Sequence, residues 1–173
     1  YRWRVGCGGL VSLGHRSIAL VTPPPHTLNR QDRVRGFQQA VARAGIVGGV
    51  LVADAVEVPS DPHGDTRLFE LGLASASQIV AADWHPTAAI AINDMMAIGI
   101  GIGLKQRGLR IPQDISLMGI DDIFFAAAHD PPLTTLRQPT QALADAAIAH
   151  ILAAAEGRAT TDSTILPPQP VAR

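Results

Sequence analysis

Short apolar runs alternate with longer helix-like segments along most of the chain. Four wholly or mostly apolar runs lie near residues 17–21, 50–53, 88–92 and 115–120. Runs of this kind are typical of strands that are buried on both faces of a parallel sheet. The segments between them have helical spacing, at about residues 29–44, 66–80 and 95–107. Since parallel strands need crossover connections, the alternation predicts an α/β fold with one mostly parallel sheet flanked by helices.

The third helical segment carries a pattern that also fits a strand. From Ile98 to Leu104, glycine alternates with isoleucine or leucine. Each of the three interior glycines would cost a helix roughly 1 kcal/mol relative to alanine. We nevertheless predict a helix, because Asn93 can cap its start and Gly108 suits the position after its last turn. We expect the glycines to let a neighbouring element pack closely.

Polar residues follow two of the predicted strands. Asn93 and Asp94 come directly after the 88–92 run, and Asp121 and Asp122 come after the 115–120 run. In open parallel sheets, ligands bind outside the carboxyl ends of the strands. Asn93, Asp94 and Asp121 are therefore the first candidates for a ligand-binding site. The alternative is that Asn93 or Asp94 serves only as a helix cap.

After Asp122 the elements become shorter and less regular. Residues 123–129 predict a short helix, and residues 133–136 predict a strand. A longer helix should begin at Pro139 or Thr140 and reach about Glu156. The Pro-rich stretch at 166–171 is strand-like. At the other end of the chain, residues 8–13 fit the last turns of a helix that stops at Gly14.

Three ordered motifs resemble the lactose-repressor (LacI/GalR) family of bacterial transcription regulators. They read P-T-A-A-I-A-I-N-D-x-M-A-I-G from Pro86, R-G-L-R-I-P-x-D-I-S-L-M-G-I-D-D from Arg107, and P-P-L-T-T-L-R-Q-P from Pro131. The resemblance runs from Leu10 to about Arg173. It is to the effector-binding domain of that family, which is similar to the periplasmic sugar-binding proteins.

The resemblance implies a set of ligand-binding residues. The stretch R-V-R-G-F makes Arg33 the effector-contacting arginine of the family. The family often places an aromatic side chain near residues 58–60 to stack on the effector, and this chain has Val58, Pro59 and Ser60 there. The implied ligand set combines donors and acceptors that suit the neighbouring hydroxyls of a sugar or nucleoside: Arg33, Asn93, Asp94 and Asp121. A structural ion pair between Arg33 and Asp121 is the alternative.

The resemblance also implies a division into lobes. Residues 1–121 and about 150–173 would form a C-terminal lobe, and about 122–149 would cross to an N-terminal lobe that is otherwise missing, as is the DNA-reading headpiece. The strand at 133–136 would then have no partner, and the helix after it would expose an apolar stripe that includes Ile148, Ile151 and Leu152. Unpaired strands and bare apolar stripes invite association. We therefore expect a homo-oligomer.

Composition and charge exclude several classes of function. The 173 residues allow one domain, and the net charge of −1 gives no general attraction to nucleic acid. We expect no specific DNA binding by this chain alone. The single cysteine, Cys7, excludes an intrachain disulfide, and the first residues lack a secretory signal, so we expect a cytoplasmic protein. No apolar run is long enough to predict a membrane span.

The sequence contains no motif that indicates an enzyme. It has neither a G-x-S-x-G nucleophile elbow nor a G-x-G-x-x-G dinucleotide fingerprint. The six histidines show no metal-ligand spacing. We therefore predict no catalytic residues, no metal and no cofactor.

Two functions remain open at this stage. The first is a ligand-sensing domain in which effector binding shifts a conformational equilibrium and so alters DNA affinity in the intact regulator. The alternative is a solute-binding protein for transport, built on the same fold. A signal peptide would favour transport, and an upstream helix-turn-helix sequence would favour regulation.

Overall fold

The computed structural model describes residues 2–53, 65–158 and 163–173. Its elements follow in chain order: α1 (Arg2–Ser12), β1 (Ser17–Thr22), α2 (Leu28–Ala44), β2 (Val47–Val52), α3 (Asp65–Ala81), β3 (Ala88–Ala91), α4 (Asp94–Gln106), β4 (Ser116–Asp121), α5 (Phe124–Ala128), β5 (Thr134–Arg137), α6 (Thr140–Ala155) and β6 (Gln169–Val171). The predicted α/β fold is confirmed. Among these helices, none combines the length and the apolar character that a membrane crossing requires.

The strands form one six-stranded sheet in the order β2-β1-β3-β4-β5-β6. Every neighbouring pair is parallel except β5 and β6. Ile90 in β3 pairs with Leu20 on one side and with Met118 on the other. The ends of β1, β3 and β4 therefore lie along one side of the sheet, which we call the carboxyl edge.

Both faces of the central strands β1 and β3 are covered, which explains why nearly all of their residues are apolar. Alternate strand residues face two separate apolar layers. One layer includes Ala19, Val21, Ala89 and Ala91, packed with α3 and α4. The other includes Ile18, Leu20, Ala88 and Ile90, packed with residues of α1 and α2 such as Leu10 and Phe37.

The position of β2 differs from the prediction. The apolar run predicted a strand at 50–53, whereas the strand covers Val47–Val52. Because glycine weakens strands, the prediction began the strand only after Gly48 and Gly49. Here the space above each glycine is filled by a larger neighbour. A Cβ atom on Gly48 would lie 2.5 Å from Val41, and one on Gly49 would lie 2.5 Å from Trp84.

The glycine-rich segment is a helix, as predicted. Asn93 caps the start of α4, and Gly108 follows its end with a φ of +83°. The glycines allow α3 and α4 to meet backbone against backbone. A Cβ atom on Gly99 would lie 2.1 Å from the carbonyl oxygen of Phe69, and one on Gly103 would lie 2.6 Å from that of Leu73. The expected close packing is thus confirmed, and α3 is the neighbour.

The expectation of an unpaired strand at 133–136 is wrong. The strand β5 hydrogen-bonds to β4 in parallel and to β6 in antiparallel orientation. Leu136, which is 1% exposed, joins the apolar layer under α1. The spacing of the motifs could not show that β4 pairs with β3 on one side only, which leaves its other side for β5. The division into lobes at about residue 122 stays a prediction.

The helix α6 has the exposed apolar stripe that its sequence predicts. No residue of this helix is buried. The exposed fractions of Ile148, Ile151 and Leu152 are 57%, 67% and 57%. Other exposed apolar side chains lie in the neighbouring segments, among them Phe124, Phe125 and Ile165.

Candidate ligand-binding site

Hydrogen bonds to Ile92 and Asn29 hold Arg33 at the carboxyl edge. The helix α2 begins after the loop that follows β1, and Thr27 caps it by accepting a hydrogen bond from the Arg30 amide. From the second turn, Arg33 donates through Nη1 to the carbonyl oxygen of Ile92 at 2.6 Å and through Nε to Asn29 Oδ1 at 3.1 Å. The guanidinium therefore lies at the end of β3, beside the first residue of the next loop.

Asn93 occupies that loop and caps α4. Its Oδ1 accepts a hydrogen bond from the Met96 amide at 2.9 Å. Capping engages only the oxygen of the side-chain amide, so the two N–H donors on Nδ2 stay available for a ligand. The roles of cap and ligand contact are therefore compatible, although the sequence presented them as alternatives.

Asp121 and Asp122 form an unusual turn at the end of β4. Their φ angles are +120° and +58°, in a region that residues with side chains rarely adopt. Each such residue costs on the order of 1–3 kcal/mol, and turns of this kind cluster at ligand-binding sites. The side-chain amide of Gln138 donates a hydrogen bond to Asp121 Oδ1. Gln138 thus orients the candidate carboxylate from the segment between β5 and α6.

Asp94 is placed differently from the other three candidates. It is 0% exposed. Its Oδ1 accepts from the Thr135 hydroxyl at 2.6 Å, and its Oδ2 accepts from the Ile123 amide at 2.9 Å. Burial raises the pKa of this carboxyl, and the hydrogen bonds from Thr135 and Ile123 oppose that rise. A carboxylate without exposure cannot touch a ligand directly, so its predicted role as a contact does not fit this position.

Asp122 binds two arginines. Its carboxylate accepts from Arg173 Nη2 at 2.6 Å and from Arg137 Nε at 2.5 Å. The Asp122 side chain is 6% exposed. Burial would raise the pKa of Asp122, but the two arginines outweigh burial and lower it. This ion pair fixes the second residue of the turn.

Arg33, Asn93 and Asp121 each lie at the carboxyl edge, in α2, in the β3–α4 loop and at the end of β4. Their joint role in binding a ligand stays a prediction. The sequence analysis did not identify four residues that support this site: Thr135, Gln138, and Arg137 and Arg173, which bind Asp122. Three of them, Thr135, Arg137 and Gln138, lie in the motif P-P-L-T-T-L-R-Q-P, which was the available signal. The substituted stacking position at Val58, Pro59 and Ser60 lies outside the described residues.

A mostly parallel sheet with polar residues at its carboxyl edge is the architecture of open α/β domains, in which ligands bind outside the carboxyl ends of the strands. Residues 8–173 match the family of periplasmic binding protein-like domains. Among curated relatives, the ribose operon repressor of Escherichia coli K12 is 35% identical over 80% of this chain. The regulator MalR of Streptomyces coelicolor is 38% identical over 83% of it.

Solved structures agree with this match. A regulatory protein of the LacI family from Chloroflexus aggregans superimposes with a TM-score of 0.83 and 28% identity, over 99% of this chain and 59% of that one. The dimeric Lac repressor with an 11-residue C-terminal deletion superimposes with a TM-score of 0.81 and 27% identity, over the same shares of the two chains.

The chain therefore belongs to the periplasmic binding protein-like domains, and among them to those of the LacI-type transcription regulators. The family resemblance found in the sequence is confirmed. The chain spans 39% of the length of the ribose operon repressor and 40% of that of MalR.

Proposed function

We propose that this chain is the effector-sensing part of a LacI-type regulator and binds a small polar metabolite at the carboxyl edge. The position of the Arg33 guanidinium carries this proposal, because it binds the carbonyl of Ile92, the residue directly before Asn93. Asp121 adds a carboxylate acceptor at the end of the neighbouring strand. A planar cation, an amide and a carboxylate suit a ligand with several hydroxyl groups.

The ligand class is a sugar or a nucleoside-like metabolite. Two of the curated relatives are named for the ribose and lactose operons of Escherichia coli. D-ribose, lactose and adenosine are therefore the first probes. Binding favours the conformation in which the ligand is enclosed, and in an intact regulator that shift alters DNA affinity.

The relatives favour regulation over the alternative of solute transport, since those compared above are transcription regulators. We propose that the site binds and does not catalyse, and that the protein works in the cytoplasm. Contact with DNA would be made by a headpiece outside the 173 residues of this chain. The homologous Lac repressor structure is dimeric, and we propose that this chain also self-associates.

Titration calorimetry with the three probes tests the binding proposal. We expect at least one probe to bind, and the substitution Asn93→Ser to weaken it about tenfold or more, the usual loss for hydrogen bonds to a buried polar ligand. Serine keeps the capping oxygen but has no amide donors. The helix should therefore remain capped, and the urea unfolding midpoint should stay close to that of the wild type.

Arg33→Lys and Arg35→Lys form a matched pair for the same measurement. Lysine keeps the charge but loses the planar fork of donors. Arg35 lies two residues away on α2, pairs with Asp32 at 3.5 Å and is 67% exposed. We expect only Arg33→Lys to weaken binding. Equal affinities for the two variants, or no binding of any probe by the wild type, would contradict the proposed site.

A further inference from the structure

A buried hydrogen-bonded group lies beneath the Asp121–Asp122 turn. It joins the Asp94 carboxylate at the start of α4 to the Thr135 hydroxyl in β5. Both residues are 0% exposed. Thr135 lies 41 residues from Asp94 in sequence, so the contact depends on the fold.

Each polar side-chain atom of this group has a hydrogen-bonding partner. The Thr135 hydroxyl donates to Asp94 Oδ1, so its lone pairs face the Asp122 amide, which donates to it at 3.3 Å. The second Asp94 oxygen accepts from the Ile123 amide. Two consecutive backbone amides after Asp121 are thus held by two buried side chains. Both carboxylate oxygens accept hydrogen bonds, an arrangement that favours the ionised form of Asp94.

The sheet makes room for this group at a glycine. Gly119 lies in β4, two residues before Asp121, and a Cβ atom there would lie 2.1 Å from Asp94 Oδ1. Asp94 thus packs directly over the β4 backbone. The same carboxylate therefore contacts α4, β4, β5 and the turn, which is the set of elements that fixes where Asp121 emerges.

We propose that Asp94 and Thr135 are positioning residues that hold the Asp121–Asp122 turn in its left-handed conformation and so aim the Asp121 carboxylate at the ligand. This role rests on the proposed function of the carboxyl edge. Two adjacent residues with positive φ persist only when their surroundings over-determine them. The two amide hydrogen bonds from this turn supply that constraint from inside the fold. Asp94 acts on the ligand through Asp121 and does not touch it.

The substitutions Thr135→Val and Thr135→Ser separate positioning from simple stability. Valine removes the hydroxyl at nearly the same volume, and serine keeps it. Ser75→Ala is the control, because Ser75 is also buried, at 2% exposure, and its hydroxyl donates to the Leu71 carbonyl within α3. Urea unfolding of all three variants measures how much stability each one loses.

Two readouts test the proposal on the 173-residue chain. With the probe that binds best among D-ribose, lactose and adenosine, we expect Thr135→Val to lower affinity about tenfold or more, as for loss of a charged hydrogen bond. Thr135→Ser should restore most of this affinity, and Ser75→Ala should leave it unchanged. Without ligand, carbon-13 NMR titration of the Asp121 carboxyl should differ between Thr135→Val and the wild type, and amide exchange of Ile123 should accelerate in that variant.

The outcomes distinguish the two hypotheses. If the wild type binds no probe, the proposed function fails, and the NMR titration and amide exchange still decide the positioning role. If Thr135→Val leaves affinity, the Asp121 titration and the Ile123 exchange as in the wild type, the positioning role is wrong. The same conclusion follows if Ser75→Ala changes the Asp121 titration as much as Thr135→Val does, since general loosening would then explain both.

Discussion

At the scale of single residues, Asp122 shows how burial and charge compete. Burial alone would disfavour its carboxylate, but Arg173 and Arg137 outweigh burial and lower the pKa. A carboxyl whose pKa is lower in the folded state stabilises the fold above its ordinary pKa. That contribution is lost as the pH falls through the lowered pKa. The Asp122 ion pair should therefore support folding at neutral pH and cease to do so in acid.

The substitution Asp122→Asn tests the predicted direction of this pH dependence. At pH 7 we expect it to lower the free energy of unfolding by roughly 1–2 kcal/mol, because the arginines are partly exposed and solvent screens the pair. The difference from the wild type should shrink as the pH falls below the ordinary pKa of an aspartate. Urea unfolding at pH 7, 5 and 3 measures it, with the exposed Asp83→Asn as control. If the difference in unfolding free energy between Asp122→Asn and the wild type grows in acid, the predicted pH dependence is wrong.

At the scale of elements, the contact between α3 and α4 depends on glycines that helix propensity disfavours. Gly72 in α3 meets the Met96 carbonyl, since a Cβ atom on it would lie 2.2 Å away. Gly99 and Gly103 are four residues apart and so share one helix face. The propensity cost noted in the sequence is offset by close approach of the two backbones. Alanine would restore the propensity but could not fit.

The pair Gly99→Ala and Gly9→Ala should have opposite effects. Both glycines lie inside helices, but a Cβ atom on Gly9 would meet nothing within 4 Å. Gly9→Ala should stabilise the fold by about 0.5–1 kcal/mol through propensity alone. Gly99→Ala should destabilise it by about 1–3 kcal/mol, the usual cost of overpacking. Urea unfolding of both variants measures these changes, and stabilisation by Gly99→Ala would contradict the packing argument.

Local patterns predicted most elements, and the failures share a physical cause. Apolar runs and caps located β1, β3, β4 and α4 to within a residue or so. The missed features depend on contacts between distant segments. The start of β2 depends on Trp84 filling the space over Gly49, and the pairing of β5 depends on the open edge of β4. Likewise, the buried position of Asp94 depends on Thr135, which lies 41 residues away in the sequence.

At the scale of the whole molecule, the stripe of α6 places three exposed large apolar side chains along one helix. Burial of one such side chain contributes roughly 1.5–3 kcal/mol. We expect the chain to self-associate through Ile148, Ile151 and Leu152, consistent with the oligomer that the sequence predicts. The reason is no longer an unpaired strand, because β5 has partners on both sides.

Sedimentation across a dilution series tests this expectation. Ile151→Glu should weaken association at least about tenfold, because it removes apolar burial and adds a charge. Ala142→Glu adds the same charge to an exposed position near the start of α6, about 120° around the helix from Ile148, and should leave association unchanged. If the wild type is monomeric at tens of micromolar, or if the two variants behave alike, the stripe is not the contact surface.

The backbone contact between α3 and α4 also has a mechanical consequence. Where two helices meet through long side chains, rotamer changes can absorb a small movement of one helix before the other responds. Gly72, Gly99 and Gly103 leave no such layer between these two. The helices α3 and α4 should therefore move together as one rigid unit. A displacement of Asn93, the residue that caps α4, should therefore be passed on to α3 without loss at the interface between the helices.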